Sequence, residues 1–152
     1  MGLVPGGPAM IGNQETPNVI RVVLPWPPTA NTSKGRRKKG AKGKGYYKTE
    51  DLKIFQEKAG WILKSLHLRP LEPPYRLTIW FREKNYHGGD LANFEKHVTD
   101  ALVAARLIKD DRYINDYRFL RAKRLKEGRV CLQIESLPND DPAHLPIWGW
   151  DE

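Results

Sequence analysis

The sequence predicts an α+β domain in which two helices cover one face of a mixed β-sheet. Short β-branched or alternating runs are typical of strands, and two longer segments carry apolar residues at helical spacing. These segments interleave in the order β-α-β-α-β-β, with a basic loop after the first strand. The 152 residues fit one such domain with tails. We expect a flexible leader over residues 1–18, the domain over 19–137 and a tail over 138–152.

The first half of the domain is predicted to be a strand, a loop and a helix. The run VIRVVL at residues 19–24 is rich in β-branched residues, and the prolines of the following PWPP cannot continue a strand. Thr49 supplies an N-cap hydroxyl, and Glu50 and Asp51 place negative charge near the positive end of a helix dipole. Apolar residues then recur at helical spacing, so a helix should extend to about Leu68.

The second half is predicted to be a strand, a helix and a pair of strands. Residues 75–81 alternate between apolar and polar side chains, which indicates a strand with one buried face. The stretch GDLANFEKHVTDAL, from Gly89, is typical of an amphipathic helix with its polar side opposite an apolar stripe. The strands that flank this helix could lie parallel. Residues 113–125 and 130–134 are expected to form an antiparallel hairpin about a turn at 126–129.

The positive charge of the chain is concentrated in one segment. The net charge is +8, and KGRRKKGAKGK at residues 34–44 holds seven basic residues and no acidic one, which leaves +1 for the remainder. Such a segment suits a polyphosphate partner, because each phosphate contact releases condensed counterions. A localisation tract or a solvated loop has the same composition. We expect a mobile basic loop over residues 31–47, with DNA contacts from Lys34, Arg36, Arg37, Lys38, Lys39, Lys42 and Lys44.

Composition also excludes several classes of protein. No run approaches 18 consecutive apolar residues, so no transmembrane helix is expected. The first 18 residues lack the charged and apolar regions of a secretory signal. A single cysteine, Cys131, rules out an internal disulfide and a cysteine-based zinc cluster. These features favour an intracellular protein.

The residues available for chemistry are mainly carboxylates, since His67, His87 and His144 show no ligand spacing and His97 is expected to be solvated. Oxygen ligands suit hard cations such as Mg²⁺. Asp90 opens the second predicted helix, and the pair at 110–111 follows it.

A helix of about 17 residues is roughly 25 Å long. Its two ends can therefore share a site only if it ends early and the chain doubles back, or if the strand after Asp111 runs back past Asp90. The alternative is that Asp90 is an N-cap and Asp110-Asp111 a turn.

Four segments in order resemble the RusA family of Holliday junction resolvases, which are small Mg²⁺-dependent endonucleases of phage and prophage origin. The segments are LPWPP, the basic loop, DLANFEKHVTDAL and LIKDDRYINDYRF, within residues 19–135. The resemblance implies resolution of four-way DNA junctions by paired nicks, with Mg²⁺ as cofactor and Mn²⁺ as a substitute. It also implies a bacterial or phage-encoded cytoplasmic protein that associates with the nucleoid when acting.

The family motif D-x-D-N-x-x-K assigns roles to particular residues of this chain. Asp90 matches the first metal-site aspartate, Asn93 the motif asparagine, taken as a DNA contact, and Lys96 the lysine required for cleavage. Asp111 matches the last metal-site aspartate. The middle aspartate should stand at position 92, where this chain has Ala92. Either an aspartate has been changed to alanine, or a natural relative manages with fewer carboxylates.

Two cuts in opposed strands require two symmetric active sites, so the resemblance implies a homodimer that binds branched DNA. No membrane partner is expected. Trp61, Trp80 and Tyr75 are candidates for the dimer interface. Trp148 and Trp150 in the tail could dock on the surface or bind a partner, and the sequence does not decide.

A non-catalytic junction-binding protein fits Ala92 and the basic loop equally well. An RNA-binding protein is disfavoured, because KGRRKKGAKGK holds no aromatic residue.

Overall fold

The computed structural model of the protein describes residues 11–29, 34–36, 46–84 and 90–138. Its helices are α1 (Glu50–Ser65) and α2 (Ala92–Ala104), and a one-turn 3-10 helix covers Asp111–Tyr113. Its strands are β1 (Gly12–Thr16), β2 (Val19–Pro25), β3 (Lys34–Arg36), β4 (Tyr46–Lys48), β5 (Tyr75–Arg82), β6 (Ile114–Arg121) and β7 (Arg129–Ser136). Within these ranges, neither α-helix combines the length and hydrophobicity needed to cross a bilayer.

The predicted α+β architecture is confirmed. The main sheet has five strands in the order β1-β2-β7-β5-β6, and β5 and β6 are parallel while the other neighbours are antiparallel. The inward side chains of β2, β5 and β7 form one core with the apolar stripes of α1 and α2, so both helices lie on the same face. The largest fully buried side chains among the described residues are Tyr75, Phe81, Ile20, Leu24, Leu52, Leu71, Leu77, Ile79, Leu102, Ile108, Leu132 and Ile134.

The prediction that the last two strands form an antiparallel hairpin is wrong. β7 lies between β2 and β5, whereas β6 pairs with β5 at the edge of the sheet. After β6, the N–H of Ala122 donates to the carbonyl of Phe81, and the N–H of Leu125 donates to the carbonyl of Glu83. The connection thus crosses the end of β5. β7 then enters on its far side, where an alternating strand can bury its apolar face between two partners.

Two further strand pairings fall in segments that were expected to be irregular. β1 lies within the predicted leader and pairs with β2 from Gly12 opposite Val22, although its sequence GNQET has no apolar alternation. β3 and β4 lie at the borders of the predicted basic loop and pair with each other. Five of the basic residues predicted to contact DNA lie outside the described residues, namely Arg37, Lys38, Lys39, Lys42 and Lys44.

Both helices start close to their predicted positions but end earlier. Thr49 is the N-cap of α1, as predicted, yet its side chain makes no capping hydrogen bond. α2 ends at Ala104 because Arg106 adopts a left-handed backbone conformation, with φ of 61°. The N–H of Arg106 bonds the carbonyl of Val103, and the N–H of Leu107 bonds that of Leu102. This is a Schellman motif, which ends a helix and turns the chain sharply.

Tyr75 fixes the chain that leaves this turn. Its side chain is 0% exposed, so the prediction that it lies at an interface is wrong. The hydroxyl donates to the carbonyl of Leu71 at 2.9 Å and accepts from the N–H of Lys109 at 3.1 Å. Burial raises the pKa of this phenol, which keeps it protonated and able to donate. The first residue of β5 is therefore bonded to the segment that leads into the aspartate pair.

Replacing Tyr75 by phenylalanine should destabilise the fold by about 1–3 kcal/mol, because two backbone groups in the core lose their shared partner. Urea unfolding followed by circular dichroism measures this change. Tyr117→Phe is the matched control, since the side chain of Tyr117 is 42% exposed and its change should stay within about 0.5 kcal/mol. Equal stabilities of the two variants would show that the Tyr75 bonds contribute nothing to stability.

Candidate active site

Asp90 begins the first half of the candidate site, at the entrance to α2. Its carboxylate Oδ1 accepts a hydrogen bond from the N–H of Ala92 at 3.0 Å, and its carbonyl accepts from the N–H of Asn93 at 3.1 Å. Both bonds satisfy N–H groups that the first turn of a helix leaves without an intrahelical partner. The N-cap position of α2 is Leu91 rather than Asp90, so Asp90 supports the first turn from one residue before the cap. A carboxylate here also lies where the helix dipole favours negative charge.

The aromatic residue of the PWPP segment holds this end of α2 against the sheet. The ring of Trp26 meets that of Phe94 with centroids 4.9 Å apart and that of Phe81 at 5.9 Å, both in edge-on arrangements. Phe81 in turn meets Phe119 of β6 at 6.1 Å. Such aromatic pairs contribute beyond the area they bury. The first turn of α2 is therefore anchored to the ends of three strands.

The second half of the candidate site is the 3-10 helix that follows α2. The Oδ1 atom of Asp110 accepts from the N–H of Arg112 at 3.0 Å, and Asp111 is the first residue of the turn. The bond from the N–H of Arg112 to its carboxylate lowers the pKa of Asp110. This turn packs against α2. The early end of α2 is observed, and so is a returning strand, because β6 runs parallel to β5. Asp110 and Asp111 also form the turn of the structural alternative.

Lys96 lies in the second turn of α2. Its Nζ is 3.1 Å from the Oδ1 of Asp100, one turn further along α2, in an ion pair whose side chains are 58% and 43% exposed. The hydrogen bond to Asp100 is the main reason that the pKa of Lys96 is raised, and the charges of Asp111 and Glu95 raise it further. Lys96 and Asp111, from the two separate motifs, therefore act on each other electrostatically.

Tyr117 and Glu95 belong to the same cluster, and sequence reasoning missed both. Partial burial raises the pKa of the Tyr117 phenol to about 12, and the charges of Glu95 and Asp111 contribute to the increase. The hydroxyl of Thr99 donates to the carboxylate of Glu95. Tyr117 falls within the quoted run INDYRF, but only the parallel pairing of β6 with β5 brings it back beside α2. The structure thus places a phenol near Glu95 and Asp111, the two carboxylates whose charges also act on Lys96.

Other predicted features are absent from this cluster. Asp90 is not among the groups that most strongly shift the pKa of Lys96 or Tyr117. Among the residues that the structure describes, no three or more His, Cys, Asp or Glu side chains are placed to hold one metal ion. The prediction that His97 is solvated is wrong, because its side chain is only 6% exposed. α1 packs against α2, so more of α2 is covered than its apolar stripe.

Comparison with known families matches most of this chain to one of them. The sequence model described as Endodeoxyribonuclease RusA matches residues 25–135, which include both halves of the candidate site. The chain belongs to the RusA family. It is 29% identical over 128 residues to the crossover junction endodeoxyribonuclease RusA of Escherichia coli K12. The protein of that name from Enterobacteria phage 82 is also 29% identical. Each alignment covers 81% of this chain and 99% of the relative.

Membership of the RusA family confirms the family resemblance on which the site residues were chosen. The matched segment runs from Pro25, at the start of PWPP, to Glu135, near the end of β7. The roles assigned to Asp90, Asn93, Lys96 and Asp111 stay predictions. The segment after residue 135, with its two tryptophans, lies beyond the matched region.

Asp100→Asn should lower the pKa of Lys96 towards the ordinary lysine value, because it removes the carboxylate that accepts the bond from Nζ. Heteronuclear NMR titration of isotope-labelled lysine side chains measures this pKa. Glu95→Gln is the matched control and should lower it less, since Glu95 acts on Lys96 through charge alone. An unchanged Lys96 pKa in the Asp100→Asn protein would mean that the ion pair is not formed in solution.

Proposed function

We propose that this RusA-family chain is a metal-dependent endonuclease for four-way DNA junctions, which it resolves by paired nicks, and that Ala92 makes it an active-site variant in which a metal-binding aspartate is replaced. The observation that carries this proposal is the match of residues 25–135 to the Endodeoxyribonuclease RusA model. The charge of Asp111 supports it, because it contributes to the raised pKa of Lys96 in the other half of the motif. The relatives' name, crossover junction endodeoxyribonuclease, supplies the substrate class. As the chain stands, Ala92 leaves the candidate site one carboxylate short.

The residues present fit a weakly held Mg²⁺, with Mn²⁺ as a substitute. Asp90 and Asp111 offer the oxygen ligands that hard cations prefer, and Mg²⁺ commonly uses only one or two carboxylates with water and substrate phosphate. The absence of a cluster of three potential ligands from the described residues is in keeping with the missing carboxylate at 92. When bound, the cation would neutralise phosphate charge and supply an activated water.

The protein's own side chains would place the DNA backbone. Lys96 is held in the cationic form by Asp100 and would meet the scissile phosphate or the leaving oxygen. Partial burial raises the pKa of Tyr117 to about 12, so the phenol stays protonated at neutral pH and could donate a hydrogen bond to a phosphate oxygen. Asn93 would contact the DNA from the first turn of α2. The basic loop would bind the junction arms through counterion release.

We also propose that the active form is a homodimer. Two nicks in opposed strands need two active sites with matching two-fold symmetry, which a closed dimer provides. Trp61 is 70% exposed on α1 and stays a candidate for the interface, and so does Trp80, which is partly exposed on β5, unless another part of the chain covers it. The dimer would act in the cytoplasm and associate with the nucleoid while it resolves junctions.

The second candidate function is a junction-binding protein without nuclease activity. Ala92 favours it, together with the finding that the described carboxylates do not assemble a three-ligand site. Loss of one carboxylate from a surface that approaches phosphates removes charge repulsion, so binding could tighten while cleavage is lost. The two functions share a substrate and differ in whether a carboxylate at position 92 restores nicking.

Ala92→Asp should produce paired nicks in a labelled four-way junction with Mg²⁺, because it completes the carboxylate set. Denaturing gels that resolve both labelled strands measure the nicks. Ala92→Asn is the matched control, since it adds a side chain of the same shape without the charge. In the Ala92→Asp background, Lys96→Gln should slow cleavage by about 100-fold or more, as expected for loss of a group that stabilises transition-state charge.

Tight junction binding by Ala92→Asp with no nicks in Mg²⁺ or Mn²⁺ would contradict the nuclease proposal and favour the binding protein. Nicks of equal rate in linear duplex would contradict selectivity for junctions. Nicks by the unaltered chain at the rate of the Ala92→Asp protein would show that the third carboxylate is not needed.

Neutralising the basic loop should weaken junction binding and reduce its salt dependence. Replacing Lys38, Lys39 and Lys42 by glutamine should lower the slope of log K against log salt by roughly 0.9 for each phosphate that the loop no longer neutralises. Fluorescence anisotropy at several salt concentrations measures the slope. The matched control replaces Lys53, Lys58 and Lys64, which are exposed on α1, and should leave the slope nearly unchanged. Equal effects of the two triple variants would mean that only net charge matters.

A further inference from the structure

The face of the main sheet that lies opposite α1 and α2 carries an apolar row. Strand register aligns Val23, Cys131, Trp80 and Leu120 across β2, β7, β5 and β6. The neighbours of these residues in each strand point into the core, so the four side chains point away from both helices. Val23, Cys131 and Trp80 are partly exposed, and Leu120 is 45% exposed. We call this surface the open face.

The open face is also rich in arginine. One row further along the strands, Arg21, Gln133, Thr78 and Arg118 are aligned, and Arg21 donates to the Gln133 Oε1 atom at 2.9 Å. Arg76 bonds to Asp116 at 2.8 Å, which confirms that these outward side chains share one surface. By register, the charged residues that β2, β5, β6 and β7 place on this face are Arg21, Arg76, Arg82, Arg118, Arg129, Asp116 and Glu135. These strands therefore combine an apolar row with five arginines against two carboxylates.

The C-terminal segment, residues 139–152, has the complementary composition. It reads NDDPAHLPIWGWDE, with four carboxylates, no lysine or arginine, and the apolar residues Leu145, Ile147, Trp148 and Trp150. It lies outside both the described residues and the segment matched to the family. The chain enters it just after β7, the strand between β2 and β5 that carries Cys131 in the apolar row. Its charge and its aromatic content fit the open face.

The length of the segment allows it to reach the apolar row. Cys131 lies five residues before Ser136, the last residue of β7, and the distance between them is roughly 17 Å at the rise of a strand. Nine residues separate Asn139 from Trp148, and an extended chain of that length spans up to roughly 30 Å. Before that, the N–H of Leu137 is bonded to the carbonyl of Pro74 at 2.8 Å, which fixes the starting point. The segment is therefore longer than it needs to be for the tryptophans to lie on the apolar row.

We propose that residues 139–152 dock on the open face of their own subunit. Trp148 and Trp150 cover the row formed by Val23, Cys131, Trp80 and Leu120, and the carboxylates pair with the arginines around it. Apolar burial supplies the attraction and charge complementarity fixes the register. This surface lies opposite the helix layer, and its occupation is independent of cleavage at the candidate active site.

Cys131 provides the test, because it is the one cysteine of the chain and lies in the row. We expect truncation after Pro138 to accelerate its reaction with a disulfide reagent roughly tenfold, since protection follows the docked population. Full-length Trp148→Ser/Trp150→Ser, which keeps the length and charge of the tail, should react at the truncated rate. A synthetic peptide of residues 139–152 should restore protection to the truncated protein.

The reporter control moves the thiol to the turn before β7. In a Cys131→Ser/Lys126→Cys protein, truncation should leave the reaction rate unchanged, which separates local cover from a general change in the fold. Circular dichroism melts check that each variant is folded.

Equal Cys131 rates with and without the tail would overturn the proposal. So would protection that survives truncation and rises with protein concentration, because a second copy would then cover the face. Neither result bears on nicking by the Ala92→Asp protein, so this test and that of the nuclease proposal fail separately.

Discussion

The reversal of the chain after α2 is the constraint on which the candidate site depends. A helix continued to Lys109 would carry the aspartate pair away from Lys96. Arg106 instead adopts a positive φ, the carbonyls of Leu102 and Val103 are satisfied by the Schellman bonds, and Tyr75 holds the N–H of Lys109. The buried residues Leu107 and Ile108 follow directly, so burial of apolar side chains drives the turn that the backbone geometry permits.

The local sequence pattern predicted which helices and strands form better than it predicted which strands pair with one another. Alternation identified β5 and β7, and periodicity identified both helices, because each signal depends on residues close in sequence. The position of β7 between β2 and β5 depends on a crossing of the sheet that no turn residue encodes. β1 escaped notice since an edge strand such as GNQET needs only backbone pairing. Tyr117 and Glu95 were missed for a related reason: their proximity follows from a parallel pairing between distant segments.

The candidate site shows that a structural role and a functional role do not exclude each other. Asp90 receives the N–H of Ala92 at the start of α2, and Asp110 receives that of Arg112 at the start of the 3-10 helix. Each bond sets the direction of the chain just before a residue of the family motif. Position 92 is the first residue of α2, where the dipole favours negative charge, so an aspartate there would suit the helix as well as the site. Nothing in the helix itself requires alanine.

The ion pair of Lys96 with Asp100 has a strength that suits a residue expected to meet DNA. Exposed pairs four residues apart in a helix contribute only about 0.3–0.5 kcal/mol. Both side chains are more than two-fifths exposed, so the pair can open at little cost when a phosphate arrives. A buried pair would orient Lys96 more rigidly but would oppose its transfer to substrate. Asp100 thus orients the ammonium group in the free protein, and a phosphate with its own negative charge would be able to replace Asp100 as its partner.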